Sequence, residues 1–476
     1  MDKCEKIESV LKSLDVTLGQ YKEIMRLLDA EMTRALHKDT FKDPKITLEM
    51  FNAFVCSTPR GSENGNFLAL DLGGSNFRVL LISVKKNSAP RIESRVFPCS
   101  QEIVTGTGEQ LFDYIAGCIY QFVEDHGIKN ETLPLGFTFS FPTELRSLAS
   151  AILVNWNKTF SCADVPGKDI VTMLHAAIKK RKGLNVECVA VTNDTTGTLI
   201  SCSQEHNDCR IGVIVGTGCN ACYTEDLTGV TRYHEQLGVS DQISKKPLNG
   251  HENGNKPFVV INTEYGGFGD SGCLNFVRTE FDVQLDNESL VPGHHILEKM
   301  VGGLYMGEIV RLILVKMARE GLIFGGKVTD DLAMRERFYT KFVSEIESDI
   351  VNTSKNSKAQ CVNTRNVLEQ LGYQDVAEDD VKIVQKVCTL VSKRAACMVA
   401  TGIASFLTRM DRPSTTVGVD GSVYKCNPLF HDRMVEHIEK LTNSRNKFKV
   451  VLSTDGSGKG AALLAAAVHR AKQGTA

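Results

Sequence analysis

The chain has 476 residues, and 42% of them are hydrophobic. This length exceeds what a single hydrophobic core usually accommodates, so two domains are predicted. Its 55 Lys and Arg nearly balance 57 Asp and Glu, the formal net charge is -2, and no basic block stands out, so nucleic acid is not an expected partner. No apolar run has membrane-spanning length, and the N-terminus lacks the apolar core of a signal peptide. The 15 Cys are consistent with free thiols in a reducing compartment. We therefore expect a cytoplasmic protein without a membrane segment.

The predicted elements alternate in the manner of an α/β protein. Residues 5–38 carry apolar positions at helical spacing, and residues 67–84 then form two predicted strands around the short turn GGSN. The next segments show alternating periodicities: helix 110–127, strand 133–142, helix 169–181, strand 186–194 and helix 195–204. This alternation predicts a sheet with helices packed on its faces.

A second hairpin, residues 210–225, repeats the order of the first: strand, glycine turn, Asn and strand. The stretch from Gly73 to Asn76 matches that from Gly216 to Asn220 with one inserted residue, which indicates an internal repeat. The remainder is predicted as a mostly surface loop at 226–257, a strand at 258–264, helices at 294–320 and 380–410, strands at 415–422 and 448–452, and an alanine-rich terminal helix.

Short glycine turns between strands expose several backbone N–H groups together, and a phosphate chain is a suitable ligand for them. One such turn is more often an ordinary hairpin, but four related turns occur, at Gly73, Gly216, Asp420-Gly421 and Asp455-Gly456. Asp71 precedes the first turn, where a carboxylate becomes useful if a divalent cation accompanies the phosphates. The spacing around GSGKGA does not match a P-loop.

Two other patterns leave alternatives open. The stretch VIVGTGCNA matches a dinucleotide-binding fingerprint, but the sequence after it lacks helical periodicity, so an NAD-dependent oxidoreductase is kept only as an outside alternative. Cys219 and Cys222 form a C-x-x-C with Cys202 and Cys209 upstream. Because that upstream spacing is too wide for a zinc knuckle, we expect buried thiols on a hairpin rather than a metal site.

Polar residues at predicted strand ends supply the second half of the chemistry. Asn193 and Asp194 end a strand and begin a helix, where a carboxylate is either an N-cap or a catalytic base. Ser140 and Glu264 end predicted strands, Asn220 closes the second glycine turn, and Lys158 lies beside the only tryptophan. Such a set suits a polyhydroxylated ligand, because each hydroxyl both donates and accepts hydrogen bonds.

Over nearly its whole length the chain resembles the eukaryotic hexokinase family, the sugar-kinase branch of the actin-like (ribonuclease H-like) fold. The motifs that carry the resemblance are LALDLGGSNFRV, LGFTFSFP, VTNDTTGTL, VGTGCNACY, INTEYGGFGD, VGVDGSVYK and DGSGKGAAL. The stretches VRTEFD and MGEIVRLILVKM are closer to insect-type single-unit members. The resemblance implies an α/β fold of two domains, a small one (62–194 with 451–476) and a large one (1–61 with 195–450), and a sugar cleft between them.

The resemblance also implies a monomeric, ATP- and magnesium-dependent kinase acting on a hexose, glucose first. Asp194 would take the proton from the sugar's 6-hydroxyl, and Lys158 would face the transferring phosphoryl group. Sugar contacts are implied for Ser140, Asn157, Lys158, Asn193, Asp194, Asn220, Glu264 and Glu298. Asp71 would hold magnesium through water. The ATP side would comprise Gly73, Gly74, Ser75, Asn76, Arg78, Gly216, Thr217, Gly218, Gly421, Ser422, Gly456 and Ser457.

Some positions depart from the family pattern. Where the family has W-T-K-G-F, this chain has NWNKTF, which places Asn157 and Thr159 at positions usually held by threonine and glycine. Met334 stands where a nucleotide-side threonine is expected, and His295 replaces a glutamine. A catalytically weakened, hexokinase-like sugar sensor is therefore the alternative to an active kinase.

Overall fold

The structure, a computed structural model, describes residues 2–59, 64–72, 76–85, 91–156, 160–239, 257–355 and 361–473. The helices are α1 Lys3–Lys12, α2 Leu18–Leu36, α3 Gln101–Val104, α4 Gly108–Asp125, α5 Ile170–Lys179, α6 Asp194–Glu205, α7 Glu280–Asn287, α8 Ile296–Val301, α9 Met306–Arg319, α10 Asp330–Ala333, α11 Thr340–Lys355, α12 Val362–Gln370, α13 Glu378–Met410, α14 Ser422–Cys426, α15 Phe430–Leu441 and α16 Gly456–Gln473.

The strands are β1 Phe51–Asn52, β2 Gly65–Leu72, β3 Asn76–Val84, β4 Arg91–Pro98, β5 Leu133–Phe139, β6 Thr143–Ser147, β7 Ser150–Leu153, β8 Val186–Thr192, β9 Cys209–Val215, β10 Cys219–Asp226, β11 Phe258–Asn262, β12 Ser414–Asp420 and β13 Lys447–Leu452. Both predicted hairpins are present as the antiparallel pairs β2–β3 and β9–β10. The α/β class predicted from the sequence is confirmed.

Two mixed sheets have the same internal arrangement. The five-stranded sheet has the order β4-β3-β2-β5-β8, and five strands of the six-stranded sheet follow the matching order β11-β10-β9-β12-β13. In each sheet the first three strands are antiparallel and the last two join in parallel. The repeated topology agrees with the internal repeat inferred from the two glycine turns, since those turns join equivalent strands.

Helices α6 and α16 cross closely beside both sheets, and glycines permit the approach. A Cβ added to Gly460 would lie 1.9 Å from the carbonyl oxygen of Gly197, and one added to Gly136 would lie 1.9 Å from the carbonyl oxygen of Ala461. Neither position has space for a larger residue. Apolar residues of α16 such as Leu463 complete a buried cluster that includes residues from the two sheets.

The predicted helix at 294–320 is two helices, α8 and α9, which corrects the sequence-based interpretation. The interruption falls at Gly302 and Gly303, where the backbone turns to hydrogen-bond the loop between β9 and β10. The N–H of Gly303 donates to the carbonyl of Gly216 at 2.8 Å, and that of Leu304 donates to the carbonyl of Thr217 at 3.0 Å. The break therefore supports one of the turns predicted to bind phosphate.

By length and composition, α13 is apolar enough to span a membrane, and it is the only such helix among the described residues. In its apolar window, however, 83% of the residues are buried inside the protein. Core helices commonly meet the same criteria, so its composition is explained by packing against α2, α9 and α15.

Candidate active site

Two asparagine side chains on neighbouring strands donate hydrogen bonds to the carboxylate of Glu264. Asn220 in β10 and Asn262 at the end of β11 both donate from Nδ2 to Oε1 of Glu264, at 2.9 and 2.6 Å. Asn220 Nδ2 also donates to Asn262 Oδ1 at 3.0 Å. Glu264 has a left-handed backbone, with φ at 50°, which turns the chain away immediately after the strand. The three side chains therefore form a closed hydrogen-bonded group.

Three carboxylates from separate elements converge at this point. The pKa of the half-buried Glu264 is raised to about 7, mainly because its carboxyl group is removed from water. The hydrogen bond from Asn262 acts in the opposite direction and lowers this pKa. The negative charges of Asp194 and Glu298 contribute to this rise. Such a group of acids, one of them with a strongly shifted pKa, is typical of a site that binds hydroxyls and moves protons.

Asp194 occupies the first turn of α6, directly after the buried strand β8. Asn193 provides the cap: its Oδ1 accepts from the N–H of Thr196 at 3.0 Å, and its Nδ2 donates to Oγ1 of Thr195 at 2.8 Å. Of the two predicted roles for this pair, the capping role therefore falls to Asn193. Asp194 follows as the first helical residue, where the helix dipole favours the ionised carboxylate.

Glu298, on α8, connects the cluster of three carboxylates to the turn between β9 and β10. Its Oε2 accepts from the N–H of Cys219 at 3.0 Å. A Cβ added to Gly218 would lie 2.2 Å from the same oxygen, so only glycine permits this approach. The Cys219 sulfur also lies 3.0 Å from the hydroxyl of the buried Tyr265, the residue after Glu264.

Asp71, at the end of β2, connects the first hairpin to the start of α16. Its Oδ2 accepts from Nη2 of Arg78 at 2.7 Å and from the hydroxyl of Ser457 at 2.9 Å. Nη1 of Arg78 forms a second ion pair with Asp455 at 2.6 Å. Both hydrogen bonds that the described residues give to Asp71 end on Oδ2, so Oδ1 is the oxygen available for an incoming ligand.

Three of the predicted glycine turns meet. A Cβ added to Gly216 would lie 3.6 Å from Cα of Gly421, and Gly421 itself has φ at 115°, which favours glycine. The carboxylate of Asp420 accepts from the N–H of Gly421 at 2.5 Å and from that of Gly456 at 3.1 Å. The exposed hydroxyls of Thr217 and Ser422 border this junction.

For the remaining predicted site residues the structure describes only part of the surroundings, and several of them lie outside the described residues. Ser140 follows β5, and its N–H donates to the carbonyl of Leu72 at 3.1 Å, beside the end of β2. Asn76 begins β3, and no more than its backbone is described. Positions outside the described residues are Gly73, Gly74, Ser75, Asn157, Lys158 and Thr159.

Two family models, each described as Hexokinase, match residues 6–204 and residues 210–467. The chain belongs to the hexokinase family. The hexokinase of Schistosoma mansoni is 40% identical over 467 residues, which cover 98% of this chain and 98% of that protein. Human Hexokinase-1 is 41% identical over 98% of this chain, but the chain spans about half, 49%, of that longer relative.

Solved hexokinase structures have the same fold. A structure described as hexokinase from Schistosoma mansoni complexed with glucose has a TM-score of 0.84 at 40% identity, covering 98% of this chain and 100% of that one. Another crystal structure of a hexokinase has a TM-score of 0.82 at 29% identity, covering 98% and 99%. These matches confirm the two-domain sugar-kinase fold predicted from the motifs. The proposed domain bounds stay a prediction.

The geometry argues against the dinucleotide-binding alternative for this hexokinase-family chain. The turn at Gly216 to Gly218 leads into strand β10, whereas the fingerprint requires the start of a helix at that point. The Cys residues named with it are buried: Cys202 in α6, Cys209 in β9, and Cys219 and Cys222 in β10. The described residues contain no group of three or more His, Cys, Asp or Glu side chains arranged for a metal ion.

Asn262 and the bridging role of Asp420 were not identified from the sequence. Asn262 lies two positions before Glu264 within INTE, but β11 ends at Asn262 and Glu264 has a left-handed backbone, so strand periodicity does not indicate the contact. The bond from Asp420 to Gly456 joins positions 36 residues apart and depends on the parallel pairing of β12 with β13. Sequence spacing alone contains no signal for it.

Proposed function

We propose that this chain transfers the terminal phosphoryl group of ATP to the 6-hydroxyl of a hexose, with glucose the first candidate, giving hexose 6-phosphate and ADP. The observation that carries the proposal is the convergence of Asp194, Glu264 and Glu298 beside the amide of Asn220. Amides and carboxylates together match the donors and acceptors of a sugar. The likeness to a hexokinase structure complexed with glucose supports the same ligand.

In this mechanism Asp194 accepts the proton of the 6-hydroxyl as its oxygen bonds to phosphorus and the bond from phosphorus to ADP breaks. Its place in the first turn of α6, where the helix dipole interacts favourably with negative charge, fixes the position of the carboxylate. Glu264 and Glu298 accept hydrogen bonds from other hydroxyls and so orient the ring. Lys158, assigned from the sequence motif, would stabilise charge on the transferring group.

The turns at Gly216, Gly421 and Gly456 form the proposed phosphate-binding side, because Gly216 and Gly421 approach closely, Asp420 ties the Gly421 and Gly456 turns together, and the exposed residues Thr217 and Ser422 border them with hydroxyl donors. Asp71 fits the role of a magnesium partner through water, since the described residues leave its Oδ1 without a hydrogen bond. Magnesium, arriving with ATP, would neutralise charge on the phosphates. Arg78 holds Asp71 in place for this role.

Measuring ADP release with a panel of hexoses tests the proposal. Hexose-dependent release by the native chain, reduced at least about 100-fold in Asp194→Asn, is the expected result. The departures at Asn157 and Thr159 favour the alternative of a sugar sensor with weakened turnover. Glucose binding by calorimetry with no hexose-dependent ADP release would support the sensor instead.

A further inference from the structure

Asn262 is a buried residue, 9% exposed, that the proposed mechanism does not use. Its amide donates to Oε1 of Glu264 at 2.6 Å and accepts from Asn220 at 3.0 Å. Asn220 is itself fixed, because its Oδ1 accepts from the N–H of Ala221 at 2.7 Å. Strand pairing between β10 and β11 places Asn262 opposite Cys222, which sets this arrangement from the backbone.

The two amides act on a single oxygen of Glu264. Both hydrogen bonds from the described residues end on Oε1, so Oε2 is the oxygen left for a ligand within that part of the chain. Donors that approach a carboxylate favour its ionised form over its protonated form. An ionised Oε2 only accepts hydrogen bonds, whereas a protonated carboxyl also presents a donor.

We propose that Asn262 is a positioning residue for sugar recognition: with Asn220 it fixes Oε1 of Glu264, favours the carboxylate over the protonated form, and so presents Oε2 as an acceptor to a sugar hydroxyl. This inference rests on the proposed function for the identity of the ligand. It adds a residue that acts through Glu264 and explains why a buried strand carries an amide at this position.

The electrostatic setting makes the role measurable. Asp194 from α6 and Glu298 from α8 are the charged groups that face Glu264 among the described residues, and both favour its protonation. Burial acts in the same direction, and the pKa of Glu264 is about 7 with the amide bonds in place. Because binding uses the ionised form, glucose affinity is full above this pKa and falls as the pH decreases through it.

Calorimetric titration of glucose without ATP, from pH 5.5 to pH 9, tests the proposal. For the native chain the dissociation constant should rise about 10-fold for each pH unit below the midpoint. Asn262→Leu removes a hydrogen bond to a charged group, which should move the midpoint upward by about one unit. The variant should then bind about 5-fold more weakly at pH 7 and recover near pH 9.

Two further variants separate the proposed role from a structural one. Glu264→Gln cannot titrate at this position, so its affinity should not change with pH; a variant that kept the native midpoint would show that Glu264 is not the titrating group and would overturn the inference. Thr224→Val removes a buried side-chain hydrogen bond of β10, made to the sulfur of Met410, and should keep the native midpoint. Thermal unfolding of each variant checks that it is folded.

The outcomes distinguish this inference from the proposed function. If Asn262→Leu binds glucose more weakly by the same factor at every pH, or no more weakly than the native chain, the inference is wrong even when the native chain releases ADP. If the native chain binds glucose with the expected pH dependence and releases no ADP, kinase activity is wrong and the inference stands. Absence of glucose binding by the folded native chain would overturn both.

Discussion

Asp194 is the residue on which the proposed proton transfer depends. Asp194→Asn preserves its shape and its place at the start of α6 but removes the base, so the turnover number should fall by at least about 100-fold. Glucose binding should stay within about 10-fold of native, because an amide still bonds a hydroxyl. Rapid-quench measurement of product, with calorimetry beside it, checks both values. A loss of only a few-fold in turnover would leave Asp194 with a purely structural role.

Asp71 should control the magnesium requirement. Asp71→Asn removes the negative charge beside the phosphate turns and leaves Arg78 with one ionic partner instead of two, so the magnesium concentration for half-maximal rate should rise at least about 10-fold. Ser457→Ala is a comparison that removes a hydrogen bond to the same oxygen without changing the charge, and although Ser457 is itself a predicted ATP-side residue, it should raise that concentration much less. Equal effects of the two substitutions would contradict this role.

The departure at Asn157 lies outside the described residues, and its consequence stays a prediction from the sequence. One poorly made hydrogen bond to a sugar hydroxyl corresponds to about 1 to 3 kcal/mol, or about 10- to 100-fold in affinity. Asn157→Thr should therefore lower the Michaelis constant for glucose, and Asn157→Thr with Thr159→Gly should lower it at least as far. Unchanged Michaelis constants would mean that the pocket accommodates Asn157.

Single residues could be predicted wherever a motif marks the end of a strand. Asn193, Asp194 and Glu264 were found this way, because each follows an apolar run whose end is readable. Asn262 was missed because its role depends on which strand lies beside it. Register between strands comes from tertiary packing, and one sequence does not show it.

At the scale of elements, the crossing of α6 and α16 is the contact most sensitive to added volume. Gly460→Ala would place a Cβ about 1.9 Å from the carbonyl oxygen of Gly197, and neither backbone can retreat without displacing a helix. We expect the free energy of unfolding to fall by about 1 to 3 kcal/mol or more. Urea denaturation followed by circular dichroism measures it.

The control for this substitution is Gly19→Ala in the exposed first turn of α2, where the nearest atom to an added Cβ is Thr17 Oγ1 at 3.9 Å. There alanine should be neutral or stabilise the protein by up to about 1 kcal/mol. If both variants unfold at the native urea concentration, the two helices have more freedom than their spacing indicates.

Sequence periodicity located most strands and long helices but not the division between α8 and α9. Apolar spacing continues across Gly302 and Gly303, so the pattern alone predicts one helix. The break arises because the backbone there bonds the loop after β9, a partner far away in sequence. Short elements such as β6, β7 and α10 also escaped prediction, since they contain too few residues to show a period.

At the scale of the whole molecule, the proposed sugar site draws on both sheets: Asn193 and Asp194 follow β8 of one sheet, and Glu264 follows β11 of the other. Glucose should therefore draw the two parts together, with a smaller radius of gyration in solution. Small-angle scattering with and without saturating glucose measures this. A profile that does not change with glucose in the native chain would contradict closure, and a non-binding sugar provides the control.

The position of α16 in the chain has a consequence for biosynthesis. The strands of the five-stranded sheet are complete at residue 192. One apolar face of that sheet is nevertheless covered by Leu463 and its neighbours in α16, which are synthesised only after every strand of the six-stranded sheet. On the ribosome that face has no native partner while the intervening residues are translated, and it is a natural surface for chaperone binding. Nascent chains arrested before residue 456 should remain protease-sensitive in the first sheet. Protection there should begin only once α16 has left the exit tunnel.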